Sequence, residues 1–98
     1  MPSIIVLEQR RERLVRQVND HLDFLIGSIS SKGLKYQAYN LTAKVDGKTK
    51  TRHIPIDMLP LVKRLTQRHR KLKTLLRQID EVNWSLLLMR ASIQNGSL

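Results

Sequence analysis

The sequence contains no cysteine among its 98 residues. Disulfide bonds and thiolate metal sites are therefore excluded as ways of stabilising the fold. Aromatic residues make up only 4% of the sequence, whereas hydrophobic residues together make up 41%. We therefore expect an aliphatic and mainly helical core. A chain of this length rarely carries two cores, so we expect residues 1–98 to form a single domain.

Long apolar runs are also absent. No run reaches the ~18 residues that a membrane-spanning helix requires. In the opening segment MPSIIVLEQRRER the apolar residues precede the basic ones, which is the reverse of the order in a signal peptide. We therefore expect a cytoplasmic protein without a membrane partner.

The residue patterns of catalysis are missing as well. His21, His53 and His69 are scattered, and none lies four residues from another histidine. The serines after Gly27 lack the strand-turn-helix setting of a nucleophile. The segment around Gly27 and Gly33 lacks the Gly-Lys-Ser/Thr order of a phosphate loop. We therefore predict no enzyme, no metal, no cofactor and no small-molecule substrate.

Acidic residues are absent from positions 58–79, although this segment contains KRLTQRHRKLKTLLR with seven Lys or Arg. The net charge of the whole chain is +10. Between Lys32 and Arg77 there are thirteen basic residues and only two acids, so the excess charge is concentrated in the middle of the chain. Such localisation indicates an anionic partner more strongly than a high isoelectric point alone.

Apolar periodicity predicts a first helix over residues 4–25, with Ser3 as N-cap and Gly27 as the stop. The segment GSISSKG at 27–33 has the composition of a loop. Residues 34–54 predict a β-hairpin, because Asp46 and Gly47 form the strongest short-range turn signal. A two-residue turn there requires positive φ at Gly47, and we expect it at Asp46 too.

The two-residue turn also fixes the register of the hairpin. It places Val45 opposite Lys48, Ala43 opposite Lys50, Leu41 opposite Arg52 and Tyr39 opposite Ile54. These eight residues then share one face of the ribbon, and Lys44 lies on the other.

A long helix is predicted over residues 57–93, with Asp57 as N-cap, Pro60 in the first turn, and Asn95 and Gly96 as the stop. One heptad row holds Leu65, Leu72, Ile79, Leu86 and Ile93, and the complementary row holds Leu61, Arg68, Leu75, Val82 and Met89. This repeat is typical of a coiled coil. The predicted architecture is α+β but mostly α, with a helix, a β-hairpin and a long coiled-coil-like helix.

The first helix is too short to cover the whole seam of the second one, so another element must cover the end around WSLLLMR. A second copy of the chain is the simplest cover, and the alternative is that the chain folds back on itself. We therefore predict a homo-oligomer. Its predicted interface consists of Leu72, Leu75, Ile79, Val82, Trp84, Leu86, Leu87, Leu88 and Met89.

The basic run forms a stripe on the predicted long helix. Lys63, Arg70 and Arg77 lie seven residues apart, which puts them on the row farthest from the seam and spreads them over ~21 Å. The alternative is a solvated helix exterior, but that reading predicts acidic partners at i±4 from the lysines, and no acid lies between Met58 and Ile79. A membrane-surface role is disfavoured because the seam already uses the apolar face.

We therefore predict a nucleic-acid partner, with DNA favoured over RNA. The predicted contact residues lie on the ribbon and on the long helix: Lys44, Lys48, Lys50, Arg52, Lys63, Arg64, Arg70, Lys71, Lys73 and Arg77. Asn40 and Gln37 are the candidates for contacting base edges. We expect recognition of shape or charge more than a tight sequence code.

The order of a helix, a GS loop, YNLTAKVDGKTKTRHIP, DMLPLVKRL and a Leu-rich helix resembles a known pattern. It is that of a family of short uncharacterised prokaryotic proteins that are encoded near transposase genes. The similarity covers residues 24–83. Many members of that family carry a Cys-rich stretch where this chain has SISSKGLKYQ, so a metal site is not implied here. The resemblance implies a mobile-element or host-defence context and favours DNA, but it brings no biochemical activity.

The sequence thus predicts a non-catalytic nucleic-acid-binding protein, most directly of double-stranded DNA, with an accessory or regulatory role. Two alternatives remain open. One is an oligomeric adaptor that binds other proteins, and the other is a phage or viral structural subunit that has no nucleic-acid role.

Overall fold

The computed structural model of the protein describes residues 3–32 and 38–94. The elements in chain order are α1 (Ile4–Asn19), β1 (Ser28–Lys32), β2 (Ala38–Val45), β3 (Lys48–Ile54), a short 3₁₀ turn (Ile56–Met58) and α2 (Leu59–Gln94). The predicted class, α+β but mostly α with a long C-terminal helix, is confirmed. The chain divides into two compact units: unit 1 comprises Met1–Leu22 and Lys71–Leu98, and unit 2 comprises Asp23–Arg70.

Helix α1 begins as predicted and ends earlier than predicted. The hydroxyl oxygen of Ser3 accepts a hydrogen bond from the backbone N–H of Val6 at 3.2 Å, which is the bond that an N-cap serine forms. The helix ends at Asn19 rather than at residue 25. At this end Nδ1 of His21 donates to the carbonyl oxygen of Gln17 at 2.7 Å, which satisfies one of the last unpaired carbonyls of the helix.

The core of unit 1 lies between α1 and the C-terminal part of α2. Its buried residues are Leu7, Leu14, Leu75, Val82 and Leu86, with Ile4, Val18, Ile79 and Met89 packed against them. A salt bridge of 3.1 Å between Arg90 and Glu8 places the start of α1 beside the end of α2, as in an antiparallel helix pair. The predicted helix pairing is therefore present within a single chain.

Unit 2 contains a three-stranded antiparallel sheet in the order β1-β2-β3. The pairing of β2 with β3 has the predicted register, with Val45 opposite Lys48 and Leu41 opposite Arg52. The turn between these strands has φ of 52° at Asp46 and 78° at Gly47, so the predicted positive φ values are confirmed. Part of the predicted hairpin, residues 34–37, lies outside the described residues.

The segment predicted as a loop contains a strand, so that prediction is wrong for residues 28–32. Strand β1 pairs with β2, with Ile29 opposite Leu41 and Ser30 opposite Asn40. Only one residue of SISSK is apolar, so the segment has almost no strand signal of its own, and its pairing with β2 determines its conformation.

The core of unit 2 lies on one face of this sheet. Its buried residues are Leu41, Ile54 and Val62, with Leu25, Ile29, Tyr39 and Leu59 packed against them. Ile29, Tyr39, Leu41 and Ile54 occupy the same face because their registers match. We call this face of the sheet the core face. Val62 packs there from α2, so this helix covers the core face.

The segment that follows α1 is attached to α2 within unit 2. The backbone N–H of Leu25 donates to the carbonyl oxygen of Leu65 at 3.1 Å. Nη1 of Arg68 donates to Oδ1 of Asp23 at 2.9 Å. The ring of Phe24 stacks on His69 with 5.4 Å between their centroids. Residues 23–25 therefore pack as an irregular segment, which explains why α1 does not extend to residue 25 as predicted.

Helix α2 begins at Leu59, after the 3₁₀ turn, rather than at the predicted Asp57 cap. The predicted stop at Asn95 and Gly96 lies outside the described residues. Between Leu72 and Leu86 the heptad seam is buried, apart from the half-buried Ile79, but the pattern does not hold at either end. Leu61 is 45% exposed and Ile93 is 62% exposed, whereas Val62 is buried. The reason near Leu61 is that α2 packs there on a sheet instead of on α1.

Within the described residues, no helix combines the length and the hydropathy that a membrane span requires.

Candidate nucleic-acid interface

The ten basic residues predicted to contact nucleic acid are all exposed. Salt bridges join Arg68 to Asp23 at 2.9 Å and Arg90 to Glu8 at 3.1 Å, and neither arginine belongs to the predicted set. Apart from Arg70, the members of the set form no ion pair with any residue that the structure describes. Nine of the ten charges are thus not neutralised by described residues.

Three of these residues follow one another along β3. Lys48, Lys50 and Arg52 pair with Val45, Ala43 and Leu41, which places them on the core face of the sheet. All three are nevertheless exposed, and β3 is an edge strand of the sheet. Charged residues also protect an edge strand against pairing with another chain, so this row has a structural use in addition to any binding role.

Two further members lie at the opposite edge of the sheet. Lys63 and Arg70, two turns apart on the same face of α2, line an open cleft together with Ser28 and Ile29 of β1. Thr66 and Gln67 complete the lining, and the cleft has a volume of about 210 Å³. Basic side chains therefore lie at both edges of the sheet of unit 2, along β3 and beside β1.

This arrangement corrects the predicted stripe. The sequence placed Lys63 and Arg70 on the row of the helix that points away from the core. In unit 2 they lie beside β1, because α2 packs on the sheet through Val62 instead of through the predicted seam residue Leu61. Arg64 is exposed on the same part of α2.

Lys71, Lys73 and Arg77 belong to unit 1. They are exposed residues of α2, in the part of the helix whose buried residues pack on α1. They add positive charge to unit 1.

Lys44 lies on the face of the sheet opposite to the core face, because it pairs with Thr49. We call this second face the polar face. Its other described side chains come from all three strands and are small or polar: Ser28, Ser30, Ala38, Asn40, Thr42, Thr49, Thr51 and His53. Asn40, Thr42 and Ala38 on the central strand are half-buried, and the others are exposed.

Of the residues on this face, only Asn40 and Lys44 were functional candidates from the sequence. The serines were not among them, because β1 was not predicted. The alternation of polar residues in KTKTRH was visible in the sequence, and it could have identified Thr51 and His53. The other base-contact candidate, Gln37, lies outside the described residues.

The predicted oligomer interface separates into two groups in unit 1. Leu72, Leu75, Val82 and Leu86 are buried within the single chain, and Ile79 and Met89 are half-buried in the same core. The second group remains exposed on α2, with Trp84 at 60%, Leu87 at 56% and Leu88 at 52%. Only this second group is available to a partner.

Across residues 3–32 and 38–94, no group of three or more His, Cys, Asp or Glu side chains is arranged to hold a metal ion. Asp20, His21 and Asp23 are close in sequence, but the hydrogen bond from His21 to Gln17 occupies its Nδ1.

In comparisons with known proteins, no family model, no curated protein and no solved structure matches the chain.

Proposed function

We propose that the protein is a cytoplasmic, non-catalytic nucleic-acid-binding factor, and that its ligand is double-stranded DNA. The role that fits this activity is accessory or regulatory. A connection with a mobile genetic element is part of the proposal, on the basis of the sequence resemblance.

The observation that carries the proposal is the position of basic side chains on both edges of the sheet in unit 2. Lys48, Lys50 and Arg52 follow one edge, and Lys63 lies in the cleft at the other edge. These four residues form no ion pair with a described residue. Phosphates could replace the missing counter-charges, and the release of their bound cations would supply affinity.

The acids of unit 2 support the same proposal by their positions. Unit 2 has three acidic residues, Asp23, Asp46 and Asp57, and ten basic ones. Asp23 is paired with Arg68, Asp46 lies in the β2–β3 turn and Asp57 lies in the 3₁₀ turn. None of them comes from β1, β3 or the first turns of α2 that carry Lys63 and Arg70. A phosphate backbone at the two sheet edges would meet little repulsion.

The experiment that tests this proposal is a gel-shift series with duplex DNA, single-stranded DNA and RNA at two salt concentrations. The proposal predicts binding to duplex DNA that weakens log-linearly with salt. An adaptor for other proteins, or a structural subunit without a nucleic-acid role, would leave all three nucleic acids unshifted. Tighter binding to RNA would retain the general function but contradict the DNA assignment.

We further propose that the protein acts as a homodimer. Trp84, Leu87 and Leu88 are exposed, and Ala91 follows at the next turn, so they form one apolar helix face at i, i+3, i+4 and i+7. This face has no positive charge that could bind the phosphates of a nucleic acid. The flanking segment carries Asp80, Glu81 and Arg90, so it is close to neutral and two copies could meet there without strong repulsion.

A further inference from the structure

The polar face of the sheet has no assigned partner. It combines side chains from three adjacent strands in two cross-strand rows. One row is Ser28, Thr42 and Thr51, and the other is Ser30, Asn40 and His53. Lys44 and Thr49 continue the face toward the turn. None of these residues belongs to the core clusters of the described chain.

Its chemistry is that of a surface that forms hydrogen bonds. Hydroxyl groups both donate and accept, and the Asn40 amide offers two donors and one acceptor oxygen. Such groups match the donors and acceptors that base pairs present in the major groove, where Asn pairs with adenine and Ser or Thr pairs with any base. An apolar partner protein would leave these groups without hydrogen bonds, which is costly.

The dimensions of the sheet match the same groove. Adjacent strands lie ~4.8 Å apart, so the outer strands of a three-stranded sheet are ~10 Å apart. The major groove of B-form DNA is ~12 Å wide and ~8.5 Å deep. The corresponding groove of A-form RNA is deep and narrow, and it does not admit such an element.

Basic side chains lie along both edges of this sheet. When the polar face points into a groove, the two edges of the sheet run beside the two phosphate walls. Lys48, Lys50 and Arg52 lie on the β3 edge, and Lys63 lies beside β1. Lys48, Lys50 and Arg52 lie on the core face but are exposed at one edge, and Lys63 reaches the other edge from α2, so basic side chains border the uncharged polar face at both edges.

We infer that the polar face enters the major groove of duplex DNA and contacts base edges, so that Ser30, Asn40, Thr42, Thr51 and His53 give the protein a sequence preference. This inference rests on the proposed function and adds a reading surface to it. It differs from the expectation that shape or charge is recognised more than a tight sequence code.

The test uses the full chain and a pool of duplexes with a randomised centre. One variant combines Ser30→Ala, Thr42→Val and Thr51→Val, which removes three hydroxyls while it keeps the side-chain shapes suited to a strand. A matched pair of single variants, Ser30→Ala and Ser31→Ala, compares adjacent exposed serines on opposite faces of β1. Circular dichroism verifies that each variant is folded.

We expect the wild-type chain to enrich a short sequence motif from the pool. The triple variant should bind the selected duplex about tenfold more weakly, the size expected for lost base contacts, and should lose the enrichment. The slope of affinity against salt should stay unchanged, because no phosphate contact has been removed. Ser30→Ala should weaken binding to the selected duplex, and Ser31→Ala should not.

The inference is overturned if the wild-type chain binds duplexes but enriches no sequence, or if the two serine variants and the wild type bind alike. Either result would leave the proposed DNA binding intact. A triple variant that fails to fold would leave the Ser30 and Ser31 comparison as the deciding measurement. A wild-type chain that binds no duplex at all would instead refute the proposed function itself.

Discussion

Gly27 approaches Thr42 so closely that a β carbon at position 27 would stand 2.8 Å from the Thr42 carbonyl oxygen. The same β carbon would lie 2.9 Å from Cδ1 of Leu41. Gly27 also has φ of +143°, which L side chains rarely adopt. This glycine therefore allows β1 to begin against the central strand, and it holds the chain next to the buried Leu41.

The close approach predicts that Gly27→Ala destabilises the sheet more than Gly47→Ala does. At Gly47 an added β carbon meets no atom within 4 Å, so only the positive φ of +78° is penalised, at a cost of ~1–2 kcal/mol. At Gly27 a backbone oxygen and the core must also shift, which raises the expected cost to about 3 kcal/mol or more. Amide hydrogen exchange in β2 measures the loss of stability in each of the two variants. Equal protection factors in the two variants would contradict the close approach of Gly27.

The β2–β3 hairpin could be predicted in detail because its determinants are local. Asp46 and Gly47 select a two-residue turn, and that turn fixes every cross-strand pair from Val45–Lys48 to Tyr39–Ile54. No distant contact was needed to identify them.

Strand β1 and the end of α1 could not be predicted, because contacts with residues distant in sequence determine them, and local apolar periodicity does not show such contacts. Ser28–Lys32 becomes a strand through its pairing with β2. α1 ends at Asn19, where His21 caps it and where the following residues bind α2 instead. The apolar spacing of Leu22 and Leu25 looked helical, yet Leu22 is 57% exposed and Leu25 packs in the sheet core.

The sequence was sufficient to predict which basic residues are exposed, but not where the fold places them. A heptad pattern assumes one kind of partner along the whole helix, but α2 packs on a sheet at Val62 and on α1 at Leu75. The buried side of the helix is therefore different in the two units. This difference moved Lys63 and Arg70 from the predicted outer row to the edge of the sheet.

The neighbours Leu75 and Leu76 provide a direct test of the unit 1 core. Leu75 is 1% exposed and Leu76 is 51% exposed, although both occupy α2. Leu75→Ala should lower the free energy of unfolding by about 2–5 kcal/mol, because it removes buried methyl groups and leaves a cavity. Leu76→Ala should change it by less than about 1 kcal/mol. Urea denaturation followed by the fluorescence of Trp84 gives both values, and similar midpoints would show that α1 does not pack on this side of α2.

The proposed homodimer predicts the effect of a charge on the apolar face of α2. Leu87→Glu should convert a dimer to a monomer, since two copies would bury like charges against each other. Leu87 is 56% exposed, so the fold of the single chain should persist. Light scattering at micromolar concentration measures the mass. A control is Ile5→Glu, which places the same charge at another exposed apolar residue, 66% exposed on α1. A wild-type chain with the mass of 11.4 kDa would refute the dimer.

The proposed phosphate contacts predict a change in salt dependence. A triple variant with Lys48→Gln, Lys50→Gln and Lys63→Gln removes charge from both edges of the sheet. All three side chains are exposed, so the unfolding free energy should change by less than about 1 kcal/mol. Each phosphate contact that is lost should lower the slope of log affinity against log salt by about 0.9. The slope should therefore fall by between two and three for any duplex sequence.

The control for this experiment removes the same charge from the other unit. Arg10, Arg11 and Arg13 are exposed on α1, where Glu8 and Glu12 lie among them. Their replacement by Gln lowers the net charge by three, as in the sheet variant, but leaves both sheet edges intact. If binding depends on the positions of the lysines, only the sheet variant should lose affinity and slope. Equal losses in both variants would mean that net charge alone governs binding, and the flanking lysines would then be an ordinary solvated surface.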